Sequence, residues 1–334
     1  QNNRQIDQFY VPSHYGCYCW WESDFTKEDG NYYSMERISP YAFGWNIMNW
    51  IINNGAIING NDSNGNPIYG TPGQQNSNYQ IYTPLSTDFI ENTTLTLSLS
   101  PYLLHSTQLL VYKNKTLTIE PGVIIKFHNG YAGFKIEGTL NAVGTADQKI
   151  IFTSFFDDQY GGDIDGDGGV NLPTSGNWVG LHFTKDATNL SRLDNIILRY
   201  AGYKINDLAA DAGIKADQVT ISLSNSTIEK NLGSGVLLTN SSSTIDNVRF
   251  LDNEIVPGYY PRDGVGVYIQ GGSPQILNSY FKGNVYGIKM QPWWNSENKK
   301  FLPFPTMENN IFKDNTFDIF DVDNPPPSLP PPVS

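Results

Sequence analysis

The sequence predicts an all-β chain whose main body is a parallel β-helix, and three observations carry that prediction. A spaced asparagine pattern recurs through the second half of the chain. Short alternating strands, each introduced by glycine, fall between its copies. The third is the unit itself, about 22 residues with glycine and asparagine at its corners and no helix. Only 16% of the 334 residues are charged, against about 25% in ordinary domains, while 13% are aromatic, enough apolar surface for a sizeable core.

The recurring pattern is Asn, two variable residues, one large apolar residue, two more, and usually Asn again. It reads Asn225-Ser-Thr-Ile228-Glu-Lys-Asn231, Asn247-Val-Arg-Phe250-Leu-Asp-Asn253, Asn278-Ser-Tyr-Phe281-Lys-Gly-Asn284 and Asn309-Asn-Ile-Phe312-Lys-Asp-Asn315. A partial copy begins at Asn195 and reaches Leu198. Successive starts lie 30, 22, 31 and 31 residues apart, which reads as a unit of about 22 residues with an insertion in three of the four intervals. Stacking such units would set Leu198, Ile228, Phe250, Phe281 and Phe312 in one buried column, and the asparagines in another that bonds from coil to coil at a sharp corner.

The strands between the copies begin at Gly235, Gly266 and Gly287. Alternation points Val236/Leu238, Val267/Ile269 and Ile288/Met290 inward, and Leu237, Tyr268 and Lys289 outward to solvent. In the pattern itself, Arg199, Glu229, Leu251, Lys282 and Lys313 take outward positions; they do not form the threonine column that a flat ice-binding face would need.

Three segments follow from this. Residues 1–94 lack the repeat and are crowded with aromatics, a cap or flanking segment for the first coil. Within them Ser39-Pro40 and Asn54-Gly55 bracket one helix of about 14 residues, and residues 57–80 read as a polar surface loop. Residues 95–322 form the β-helix, and 323–334 a proline-rich tail that acts as a stiff spacer.

Lysine and arginine number 21 against 33 acidic residues, a net charge of −12 with no basic run, which leaves no footprint for nucleic acid or an anionic membrane. No apolar stretch approaches the length of a membrane span. Cys17 and Cys19 are too close for an ordinary disulfide and supply half of a zinc site at most; His14, His105, His128 and His182 show no ligand spacing.

Asp163-Ile-Asp165-Gly-Asp167-Gly168 matches the first half of a calcium loop, with carboxylates at alternate positions and glycine at the turn. Thr174 stands where the loop's bidentate glutamate belongs, so Asp157 and Asp158 are the residues at hand to complete an irregular structural calcium site, and Asp158 is expected to do so with Asp163, Asp165 and Asp167. A solvated acidic turn is the alternative.

Insertions in a solenoid collect on faces that bind. One carries Tyr259 and Tyr260, another Trp293, Trp294, Phe301 and Phe304, and a third, less aromatic, lies near Tyr200 and Tyr203. Planar rings on proline-bounded loops suit stacking on sugar rings, and Tyr268 on the outward strand face joins them. Covering the solenoid's own outer apolar residues is the competing use for these rings.

The middle of the chain, with Thr116-Leu-Thr-Ile-Glu-Pro-Gly-Val-Ile-Ile-Lys-Phe127, Ile136-Glu-Gly-Thr-Leu-Asn-Ala-Val-Gly-Thr-Ala-Asp147, Lys149-Ile-Ile-Phe-Thr-Ser154 and Gly176-Asn-Trp-Val-Gly-Leu-His-Phe183, resembles secreted bacterial right-handed β-helix proteins. The resemblance covers roughly 95–322 and implies the fold and its hand. In architecture, aromatic richness and Asn/Ile/Tyr-heavy composition the chain also resembles the tāpirins, cellulose-binding adhesins whose binding domain is a β-helix. The expectation is a non-catalytic, monomeric, extracellular or cell-surface binder of an insoluble neutral polysaccharide, cellulose first. A β-helix lyase or hydrolase is the main alternative, with Asp157, Asp158, Asp186 and Asp263 as candidate carboxylates but no recognisable catalytic set; a surface-layer protein is the second.

Overall fold

The computed structural model describes residues 32–37, 50–53, 55, 57–71, 82–105, 107–128, 130–203, 212–253 and 264–323. The chain divides into two compact units, 1–84 and 85–334.

In the first unit Tyr32–Tyr33 pairs with Pro67–Tyr69, which pairs in turn with Ile58–Asn61. The sequence reads 57–80 as a loop; up to Thr71 it is instead a hairpin, because Asp62 folds a turn around its own side chain. Asp62 Oδ1 accepts from the Asn64 and Asn66 backbone amides, both at 2.8 Å, and Gly65 takes φ +87°. A second correction concerns the expected helix. Its last residues, Trp50–Ile52, form a strand antiparallel to Met35–Arg37, while residues 38–49 lie outside the described residues. That pairing brings Asn53 to Glu36, whose buried Oε1 accepts from Asn53 Nδ2 and Thr71 Oγ1, each at 2.5 Å. Among the described residues there is no α-helix.

The second unit is a solenoid of eight coils, each laying one strand into each of three parallel sheets. Sheet I runs from Thr93–Leu95 to Thr306–Glu308, sheet II from Tyr102–His105 to Ile311–Lys313 with a ninth strand, Thr83–Leu85, ahead of the eight coils, and sheet III from Gln108–Val111 to Phe317–Asp321. The predicted column stands in register in sheet II. Leu198 faces Ile228, then Phe250, Phe281 and Phe312, and it extends backwards through Phe152 and Ile125 to Tyr102. The rings of Phe250, Phe281 and Phe312 stack nearly parallel at 4.9 and 5.0 Å. Val236, Leu238, Val267, Ile269 and Ile288 lie in the same continuous core, against which Met290 packs.

The strand-leading glycines make room for this column. A Cβ on Gly266 would lie 2.7 Å from the Phe281 ring, and one on Gly287 2.7 Å from that of Phe312.

Asparagine builds two ladders. At the corner entering sheet II, Asn225, Asn247, Asn278 and Asn309 hold φ near +50°, a conformation asparagine tolerates; Asn247 donates to Asn225 at 2.9 Å and Asn309 to Asn278 at 3.2 Å. At the corner leaving sheet II the ladder turns inward. Asn231 Nδ2 donates to Asn253 Oδ1 at 3.1 Å, Asn253 Nδ2 to Asn284 at 2.9 Å, and Asn284 Nδ2 to Asn315 at 3.1 Å. Asn231, Asn253 and Asn284 are buried, so their amides must be paired within the fold.

Removing an inner rung therefore strands its neighbours. Asn253→Ala leaves the Asn231 backbone and side-chain amides without their acceptor and is expected to lower stability in urea unfolding by about 2–3 kcal/mol. Asn247→Gly, which keeps the backbone conformation and loses only an exposed amide bond, should cost less than about 1 kcal/mol. Equal losses would contradict this division.

Candidate functional site

The coils are mostly closed by tight corners, and the long connections all adjoin sheet III. Three enter it from sheet II: residues 155–179 before Gly180–Phe183, 200–211 before Ala212–Asp217, and 252–264 before Val265–Gln270. The fourth, 292–305, leaves sheet III after Tyr286–Gln291. The outward face of sheet III is thus bordered along both sides by inserted chain.

The outward column of that face reads Lys215, Leu237, Tyr268, Lys289 and Phe320. Leu237, expected to be solvated, is buried at 1% exposure, and neighbouring Val265 likewise; both stand outside the main core. The face is therefore covered at Leu237, in the fifth coil, and half-buried at Lys215 before it and at Tyr268, Lys289 and Phe320 toward the last coils. There the Lys289 ammonium lies 5.1 Å from the Tyr268 ring and 5.3 Å from that of Tyr286, which stacks on Phe317 at 5.2 Å.

Residues 292–305 fold as a hairpin, Trp293–Trp294 against Lys300–Phe301. Asn295 makes its tip as Asp62 does in the first unit: its Oδ1 accepts from the Glu297 and Lys299 amides at 3.0 and 2.9 Å. The two tryptophans face opposite ways, as adjacent strand residues must. Trp293 pairs with Phe301, rings 5.2 Å apart, and both sit against Gly271. Trp294 pairs with Lys300 on the other side and is 56% exposed. Lys300 Nζ reaches Asp323 Oδ2 at 2.8 Å, and Phe304, 67% exposed, is tied by its amide to Gly272 O at 2.8 Å. Of the ring residues the sequence singles out, Trp294 and Phe304 present open surface, Trp293 and Phe301 brace the hairpin, and Tyr268 is half-buried on the strand face. Tyr259 and Tyr260 lie outside the described residues.

The acidic insertion is anchored on the outward face of sheet II by two cations that sequence reasoning missed as a pair. Lys126, fully buried, donates from Nζ to Gly162 O at 2.6 Å. Arg199, at an outward position but only 4% exposed, lies 3.6 Å from Asp157 Oδ2 and 3.4 Å from Glu229 Oε1, and donates to Gln159 Oε1 at 2.8 Å and Tyr200 Oη at 2.5 Å. Thr153 also donates to Asp157. A lysine between Ile125 and Phe127, at a position with apolar neighbours, is the signal available in the sequence. The root of the insertion packs Phe155 edge-on against His128, rings 4.5 Å apart, with His105 edge-on to His128 behind it at 4.7 Å.

Of the four expected metal ligands, Asp158, Asp163 and Asp165 converge, each offering an oxygen within 4.8 Å of the others. Asp167 does not join them; its oxygens accept from the Gly169 and Asn171 amides, both at 2.6 Å. Asp158 Oδ1 and Asp165 Oδ2 are buried without a hydrogen-bond partner. Burial, and then the neighbouring Asp163, push the carboxyls of Asp158 and Asp165 above the usual range, whereas the Gly168 amide holds Asp163 below it. Hard oxygen donors with orphaned lone pairs, three carboxylates facing the single Lys126 ammonium, fit a calcium-like cation. Asp157 is committed to Arg199 and Thr153, and Asp186 lies 3.8 Å from Lys113; Asp263 is outside the described residues.

The pattern of a right-handed β-helix region matches residues 90–290 and, in an overlapping second match, 202–325. The chain belongs to the right-handed β-helix family. No curated protein and no solved structure matches it. Among the described residues of this β-helix, no helix is long and apolar enough to cross a membrane.

His182 gives the β-helix an acid-sensitive point. It stands on the sheet III face between Lys135 and Lys215, its Nε2 buried without a partner, and burial together with Lys215 holds its pKa down to about 4. A histidine depressed in the folded state contributes stability that is complete above its unfolded pKa, near 6.5, and is lost as pH falls toward 4. His182→Gln is expected to flatten that part of the stability–pH curve in thermal melts between pH 7 and 4; an unchanged slope would contradict the assignment.

Proposed function

We propose that this β-helix is a non-catalytic, extracellular or cell-surface binding module for a polysaccharide, with cellulose the first candidate, in the manner of the tāpirins that its sequence resembles. The observation that carries the reading is the braced hairpin beside sheet III, with Trp294 and Phe304 exposed and their backbones pinned. Exposed rings on a stiff support lose little entropy on binding and offer the apolar faces that pyranose C–H surfaces stack on. A chain of net charge −12 suits a neutral glycan better than a polyanion. The carboxylates nearest to a catalytic pairing support a structural role instead: Asp157 is buried against Arg199.

A calcium ion at Asp158, Asp163 and Asp165 belongs to the same proposal. It would fasten the acidic insertion, with Lys126 and Arg199 holding the insertion's base.

Mixed with microcrystalline cellulose, the protein is expected to be depleted from the supernatant without release of sugar. Trp294→Ala should weaken that partitioning about tenfold, the factor corresponding to about 1.4 kcal/mol of lost contact, with the thermal midpoint unchanged. No depletion of the parent protein would overturn the cellulose reading. Calcium should raise the melting temperature in a concentration-dependent way that EDTA reverses, and Asp165→Asn should abolish the effect; a calcium-independent melt would remove the ion from the account.

A further inference from the structure

Outside the hairpin, one pair of exposed rings is assembled from distant parts of the chain. Tyr131 precedes the sheet III strand of the second coil, Gly133–Ile136, and Tyr203 precedes that of the fourth, Ala212–Asp217. Their rings meet at 5.6 Å with planes at 64°. Tyr131 is 51% exposed and Tyr203 37%.

Tyr203 lies flat on Gly130. A Cβ built on that glycine would stand 2.5–2.6 Å from three consecutive ring atoms, Cδ2, Cε2 and Cγ, so it would project into the ring's face rather than its edge. One face of the ring is therefore supported by bare backbone, and its exposed surface belongs to the other. The support is rigid. The Tyr203 amide donates to Trp178 O at 2.9 Å, and Trp178 is fully buried and stacked on Phe127 at 4.0 Å. Gly202 is wedged where a Cβ would come within 2.1 Å of Leu232 O.

We propose that Tyr203, walled by Tyr131, is a second stacking platform for a pyranose ring. An aromatic face held flat by glycine, with a second ring rising beside it, offers a floor for axial C–H groups and a wall that fixes the sugar's rotation. This rests on the polysaccharide reading and adds to it a second point of attachment. The platform borders the entry side of sheet III and Trp294 the exit side, three to five coil steps apart, or about 14–24 Å along the axis. One rigid solenoid carrying both would bind a long polymer with avidity that a short oligosaccharide cannot reach.

The test compares the full chain and its Tyr203→Ala, Tyr203→Phe and Trp294→Ala variants on microcrystalline cellulose and on soluble cellobiose, which is too short to reach both platforms, with thermal melts as a check on folding. Tyr203→Ala is expected to weaken cellulose partitioning about three- to tenfold while Tyr203→Phe, which keeps the ring, retains it. Pairing Tyr203→Ala with Trp294→Ala should reduce retention on cellulose by far more than either alone, and the deficit on cellobiose should be smaller. If Trp294→Ala weakens binding but Tyr203→Ala does not, the platform is wrong and the polysaccharide reading survives. Absence of parent binding to both probes would overturn both.

Discussion

Each coil of this β-helix hydrogen-bonds to the next in parallel and in register, so whatever occupies a position faces its equivalent about 4.8 Å away. That constraint explains the residue choices. A phenylalanine at the inward position of sheet II must tolerate another above it, and Phe250, Phe281 and Phe312 do so by stacking. A buried amide must find a like amide, and Asn231, Asn253 and Asn284 do so. A buried charge has no such self-complement, because like charges would face each other. Lys126 is instead answered from outside the column, by the carbonyl of Gly162, and Arg199 by Asp157 from outside and by the opposite charge of Glu229, its partner on the next coil.

The same constraint made much of the fold legible in advance. Repetition imposes a visible period, so the Asn–apolar–Asn pattern gave the sheet II register from Leu198 to Phe312 residue by residue. Legibility ended where repetition ended. The hairpin over 57–71 depends on one Asx turn at Asp62, and the strand Trp50–Ile52 is helical by its end signals but is decided by its pairing with Met35–Arg37. The outward placement of Leu237 and Arg199 was readable from alternation, but their burial was not, because what covers an outward residue comes from elsewhere in the sequence.

The candidate site divides in the same way. The aromatic hairpin was visible as an insertion, yet the opposite facing of Trp293 and Trp294 follows only once the segment is known to be a strand. The acidic turn announced itself by its alternating aspartates, and local amide bonding decides that Asp167 stays apart while Asp158 approaches. Tyr131 and Tyr203, 72 residues apart in the sequence, carry no local signal as a pair. Their meeting depends on Gly130, whose role appears only when Tyr203 lies across it.

Taken together, a regular core frees the insertions to differ, and the long ones gather on the two sides of sheet III. This border is where we propose that polysaccharide binds. Hydrogen–deuterium exchange of the full chain, with and without microcrystalline cellulose, tests it most directly. Added protection confined to residues 292–305 and to the segments around Tyr131 and Tyr203 is the predicted result, with the outer strands of sheet I unchanged. Protection centred on the outward face of sheet I, or none at all, would contradict it.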